Sequence, residues 1–150
     1  HASVVMAAYD LPTWDGRERI PFAAGIEAGA DLLMTTHLRL PAFDDQIVTG
    51  SRDVIEMLAR RQLGFNGPII TDDLIMSGAD NLGDIGKRTV RAFLAGHDLL
   101  LFGRDTDAAM EAYGFFLDAY ENGEIPAERL QEALGRISSL KIKLDSAVLW

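Results

Sequence analysis

Apolar and polar positions alternate along this chain in blocks, and the blocks predict strands and helices in turn. "SVVMAAYD" (Ser3–Asp10) is short and β-rich, a strand or an extended segment, and "LPTWDG" after it has turn composition. "RIPFAAGIEAG" carries apolar residues at helical spacing, with Pro21 tolerable in a first turn. "ADLLMTTH" is a buried strand by its continuous apolar run, and "LRLPAFDDQIVTG" is a polar, Pro-containing connection of a length that often carries function. "SRDVIEMLARRQL" is an amphipathic helix with Ser51 as N-cap, followed by a turn and a strand in "GFNGPIITDD". The alternation continues with a helix in "GDIGKRTVRAFLAG" and a strand in "HDLLLFG". Two helices close the chain: one stops at Asn122–Gly123, and the other begins near Pro126.

Strands alternating with helices of this length indicate βαβ units and a parallel sheet, an α/β fold. "AGADLL" (Ala28–Leu33) and "AGHDLL" (Ala95–Leu100) echo one another, each ending a helix on Gly and launching a strand. A repeated unit and the ordinary preference of such turns for Gly both account for the echo. Leu32–Thr36, Ile69–Thr71 and Leu99–Phe102 are expected as adjacent parallel strands. Three strands make a thin open sheet, so the chain has the look of a part of something larger.

The 150 residues, 48% hydrophobic, suit one globular unit with a core. The net charge of −9 argues against nucleic acid as a partner, because phosphate recognition leans on Lys and Arg. No apolar run is long enough to span a membrane, and no cysteine is present, which leaves the compartment open.

The candidate chemistry lies where an apolar strand, Ile69–Thr71, runs into the adjacent acids Asp72 and Asp73. Taken alone, two acids at a strand mouth suit a site, a helix cap or a hard-cation pair. The stretch "LGFNGPIITDDLIMSGA" resembles the active-site signature of glycoside hydrolase family 3, in which a G-F-x-G turn leads into a strand ending in Ser/Thr-Asp. "PFAAGIEAGADLLMTTH", "RAFLAGHDLLLFG" and "AYENGEIPAERLQEALGRISSLKIKL" resemble the flanking parts of the same domain, in the same order. Asp73-Leu74-Ile75-Met76 is similar to the β-N-acetylglucosaminidase group rather than the β-glucosidase group, which has Trp after the key Asp. Pro68 departs from the β-branched residue expected there.

The resemblance implies a partial (β/α)8 TIM barrel over residues 1–150, holding about strands six to eight of a family 3 catalytic domain. It implies a retaining glycosidase that removes terminal β-linked N-acetylglucosamine through a glycosyl-aspartate, with Asp72 as nucleophile and no cofactor. Asp73 is expected to position the loop, while His37 and Met76 are candidates for the pocket wall; a hydrogen-bonded structural role competes for His37, and core packing for Met76. The resemblance makes His1 the candidate acid/base of an Asp–His pair, and a purification-tag residue followed by an Ala2-Ser3 scar is its competing origin. The expected partners are a carbohydrate substrate and either the N-terminal half of the barrel or an oligomeric mate. The competing functions are a family 3 barrel without chemistry, serving as scaffold or sugar-binding module, and an acidic-pair metal-binding domain.

Overall fold

The computed structural model describes residues 5–147. Helix α1 covers residues 11–27 and opens on a capped turn. The Asp10 carboxylate accepts from the Thr13 N–H at 3.0 Å and from the Thr13 hydroxyl at 2.7 Å. "LPTWDG" is therefore helix rather than loop, because an Asp cap with Pro12 in the first turn nucleates it. Pro21 consequently lies inside the helix, and a wide π-turn, Trp14–Glu18, immediately precedes the α-helical part, Arg19–Glu27. Such a turn relaxes the ladder next to a residue that has no N–H to contribute.

Strand β1 (Leu33–Met34) pairs in parallel with β4 (Ile69–Ile70), Leu33 opposite Ile69 and Met34 opposite Ile70. Leu99 joins the other side of β4 through a parallel bridge to Ile70, extended by hydrogen bonds from Thr71 N–H to Leu99 O and from Leu74 N–H to Leu101 O. The three expected parallel segments are thus adjacent, in chain order. Pro68 costs little at the foot of β4, since its carbonyl still accepts from the Leu33 N–H at 3.3 Å. The opening segment lies apart from these three, with Met6 bridging Arg39 in parallel. The polar connection after β1 is an antiparallel hairpin, β2 (Arg39–Leu40) with β3 (Asp44–Ile47), turned by Pro41–Phe43.

Helix α2 (residues 52–62) starts on Ser51, whose hydroxyl accepts from Val54 N–H at 3.1 Å. Its Val54, Ile55 and Leu58 pack with Ile69, Phe65 and Trp14 in the larger core. Helix α3 (Ile85–Ala95) is capped by Asp84 and ends at Gly96, whose φ of 121° is easy only for glycine. Its Val90 and Phe93 meet Ala119 of α4 (Thr106–Glu121) and Ala133 of α5 (Ala127–Ala147). No helix among the described residues is long and apolar enough to cross a membrane.

The starts of the central strands are joined to the helices by one carboxylate. The Asp98 side chain is fully buried. Its Oδ2 accepts from Arg60 and from the Ile69 N–H, both at 3.0 Å. Its Oδ1 accepts from Arg136 at 3.0 Å and from both terminal nitrogens of Arg129 at 3.2 Å. Burial pulls Arg60 and Arg129 below the usual arginine range, and Asp98 opposes that shift. Beside it, the fully buried His97 donates from Nδ1 to the Ala92 carbonyl at 2.8 Å, so its Nε2 accepts from the Thr35 hydroxyl at 2.8 Å.

Two outcomes are expected. Asp98→Ala leaves three half-buried arginines without their shared counter-charge and should cost about 3–5 kcal/mol in denaturant unfolding of the full-length protein. Burial holds His97 neutral, with its pKa lowered from 6.5 to about 4. The unfolded chain therefore binds the extra proton first, and the contribution of His97 is complete above pH 6.5 and is lost as the pH falls toward 4. Stability should drop by about 1.4 kcal/mol per pH unit from this group across that window. A His97→Gln variant with the same stability slope as the parent would refute the assignment.

Candidate active site

Ile69 and Thr71 are fully buried against the helix layer, so strand alternation carries Ile70 and Asp72 to the opposite face. That face is apolar and open: Leu32 and Met34 lie on it, 39% and 52% exposed. Asp72 stands at its upper edge, where β4 ends.

The helix-cap role for Asp72 does not occur. Its Oδ1 accepts from the adjacent Asp73 N–H at 2.8 Å. The next helical segment, the 3-10 turn Ser77–Leu82, is preceded by Met76 and has no side-chain cap. The neighbouring helices have their own caps, Ser51, Asp84 and Asp105. Asp105 spends its carboxylate on the Ala108 N–H at 2.9 Å.

Asp73 turns the chain. Its Oδ1 accepts from the Ile75 N–H at 3.2 Å, and its carbonyl accepts from the Met76 N–H at 3.0 Å. Its Oδ2 lies against Gly103, where a Cβ would come within 2.9 Å of it. Met76 is 48% exposed on the same loop.

His37 is buried beneath this loop, with both ring nitrogens engaged. The Asp73 carbonyl can only accept, so Nε2 carries the proton it donates at 2.9 Å. Nδ1 forms a hydrogen bond with the Thr49 hydroxyl at 2.7 Å. Thr49, on the segment after β3, had no sequence signal, because its partner lies across a hairpin that the polarity of the connection concealed.

Arg88 of α3 holds the far side of the loop. It donates from Nη1 to the Leu74 carbonyl at 3.1 Å, from Nε to the Gly83 carbonyl at 2.6 Å, and from Nη2 to Asp80 at 2.7 Å. His1 lies outside the described residues. Among the described residues no group of three or more His, Asp or Glu side chains converges as metal ligands would. A cleft of about 580 Å³ at the opposite end of the strands, bounded by α5, contains none of the site candidates.

A parallel α/β unit with a carboxylate at a strand's C-terminal end defines a class of enzyme-like domains. Comparison with known proteins narrows it. The profile of the glycosyl hydrolase family 3 N-terminal domain matches residues 2–140, and the chain belongs to that family. It is 32% identical to a β-N-acetylglucosaminidase/β-glucosidase of Cellulomonas fimi over 96% of this chain and 27% of that protein. It is 35% identical to a β-hexosaminidase of Vibrio cholerae over 74% of this chain and 36% of that protein. The structure of a family 3 β-N-acetylglucosaminidase from Paenibacillus superposes with a TM-score of 0.85 at 33% identity, covering 91% of this chain and 26% of that one. The chain therefore spans about a third or less of the length of these relatives.

Gly78 adjoins His37 so closely that an added Cβ would fall 2.8 Å from the His37 Cβ, a buried and unyielding neighbour. Gly78→Ala should displace the 3-10 turn and lower stability by about 1–3 kcal/mol in thermal or denaturant unfolding. An unchanged midpoint would mean that the turn does not rest on His37.

Proposed function

We propose that this chain is part of the catalytic barrel of a retaining β-N-acetylglucosaminidase, and that Asp72 is its nucleophile. The observation that carries the proposal is the position of Asp72 at a strand's C-terminal end, on the face away from the helices, with its carboxylate not used as a helix cap. Three parallel segments in chain order, with helices on one side, fit the later strands of a (β/α)8 barrel. The open face with Leu32 and Met34 then becomes the interior that the rest of the barrel, or an oligomeric mate, would cover. The names of the relatives supply the substrate class, a terminal β-linked N-acetylhexosamine.

In this mechanism the Asp72 carboxylate attacks the anomeric carbon as the leaving oxygen takes a proton, forming a glycosyl ester that water later cleaves. The bond from the Asp73 N–H steadies Oδ1 and fixes which oxygen faces the sugar. Asp73 orders the turn, and Met76 offers an apolar edge to the ring. His37 serves the site from beneath by holding the Asp73 carbonyl. His1 is the candidate acid/base from this chain.

In the full-length protein, Asp72→Asn should lower turnover of an aryl N-acetyl-β-glucosaminide by about 10³-fold or more, because the amide cannot form the ester. Asp72→Ala should fail likewise and recover some turnover with azide, while Asp73→Asn should do less damage. Matched thermal midpoints establish that the variants are folded. Parent-like activity in Asp72→Asn would end this mechanism.

A further inference from the structure

The loop between the site acids and α3, residues 74–83, is closed on itself by one guanidinium. Arg88 reaches the loop's first carbonyl, at Leu74, its middle carboxylate, at Asp80, and its last carbonyl, at Gly83. The Arg88 side chain is only 16% exposed, so its bonds to the two carbonyls are partly shielded from competing water, whereas Asp80 is 61% exposed. The loop ends at Gly83, where φ is 107° and a Cβ would come within 3.0 Å of the Lys87 side chain, so the chain turns tightly back toward Arg88. Leu74 is itself fully buried and donates its N–H to Leu101 O at 2.9 Å.

From these contacts we infer that Arg88 is a positioning residue for the reaction, resting on the assignment of Asp72 as nucleophile. Leu74 lies two residues beyond Asp72. Its N–H is tied to the neighbouring strand segment and its carbonyl to Arg88, so the peptide following the acids is held from both sides. His37 holds the Asp73 carbonyl on the near side. Between these anchors the Asp73 N–H is aimed at Asp72 Oδ1, and the orientation of the attacking carboxylate follows from the anchoring. A planar group with donors in a fixed fork can serve three acceptors in different directions; an ammonium at the end of a flexible stem cannot reproduce that fork.

A loosened loop would leave substrate binding largely intact and reduce the fraction of molecules with Asp72 in line, so the loss should fall on kcat. A displacement of about 1 Å at a reacting group costs up to about 10²-fold.

The experiment uses the full-length protein with an aryl N-acetyl-β-glucosaminide, comparing the parent, Arg88→Ala, Arg88→Lys and Asp80→Asn, with Asp72→Asn as reference. Arg88→Ala should lose about 10- to 100-fold in kcat with little change in KM, and millimolar guanidinium chloride should restore part of it. Arg88→Lys should recover little, and Asp80→Asn should lose about two- to fivefold in kcat. Guanidinium rescue of kcat is the readout that a purely structural role would not produce.

If Arg88→Ala does not fold, Arg88→Lys and Asp80→Asn decide the matter. Parent-like kcat in folded forms of both overturns the inference, as does a loss confined to KM. If the parent has no activity, or Asp72→Asn is as active as the parent, the assignment of Asp72 fails and this inference falls with it. An active parent, a dead Asp72→Asn and unaffected Arg88 variants overturn the role of Arg88 alone.

Discussion

The Asp98 carboxylate, buried at the start of its strand, is the constraint on which the arrangement of the other elements depends. It receives five N–H donors: one each from Arg60, the Ile69 backbone and Arg136, and two from Arg129. Those donors belong to α2, β4 and α5, so one side chain sets the distance of two helices from the central strand. The arginines fasten further backbone in turn. Arg60 donates to the Phe65 and Gly67 carbonyls of the turn before β4. Arg129 donates to the Phe93 and His97 carbonyls and lies 4.4 Å over the Phe93 ring. A buried ion is costly unless every bond is made, and here both carboxylate oxygens are engaged.

Closing one end of the strands in this way leaves the other end free for chemistry. At the foot, the buried acid is surrounded by cations and fully engaged. At the upper end, Asp72 has a backbone N–H beside it and no salt-bridge partner among the described residues. The two carboxylates are 26 residues apart on neighbouring parallel segments and differ in what the helices bring to them. Arginines projecting from α2 and α5 reach the foot, whereas Arg88 from α3 reaches the loop carbonyls above and stops at Asp80.

The element order was legible because its signals are local: Ser51 caps, Gly96 and Gly123 terminate, and the apolar runs alternate. "LPTWDG" misled because Pro and Gly are turn residues by composition, and the Asp10 cap outweighed them. The hairpin at residues 39–47 was hidden because two-residue strands leave little alternation to detect. The place of Asp72 just past a strand was legible in the apolar run that leads into it. The bonds of His37 and Arg88 were not, since each joins segments whose proximity only the fold creates. The echo "AGADLL"/"AGHDLL" held more than its glycines conveyed. Its two acids, Asp31 and Asp98, both meet α5, through Lys143 and through Arg129 with Arg136. Asp31 stays partly exposed, whereas the Asp98 side chain is buried.

The same geometry divides the labour of the proposed reaction. A carboxylate attacks well when it is aimed and only lightly solvated, and this chain supplies the aim through Asp73, His37 and Arg88. It supplies little of the desolvation, since the face below Asp72 is open and Met34 on it is half exposed. Covering that face with further apolar strands would lower the dielectric around Asp72 and strengthen the Asp73 N–H bond in the same step. The aiming network is local to this chain and independent of that cover. Orientation of Asp72 should therefore be a property of these residues, while its reactivity toward a sugar should depend on what closes over the sheet.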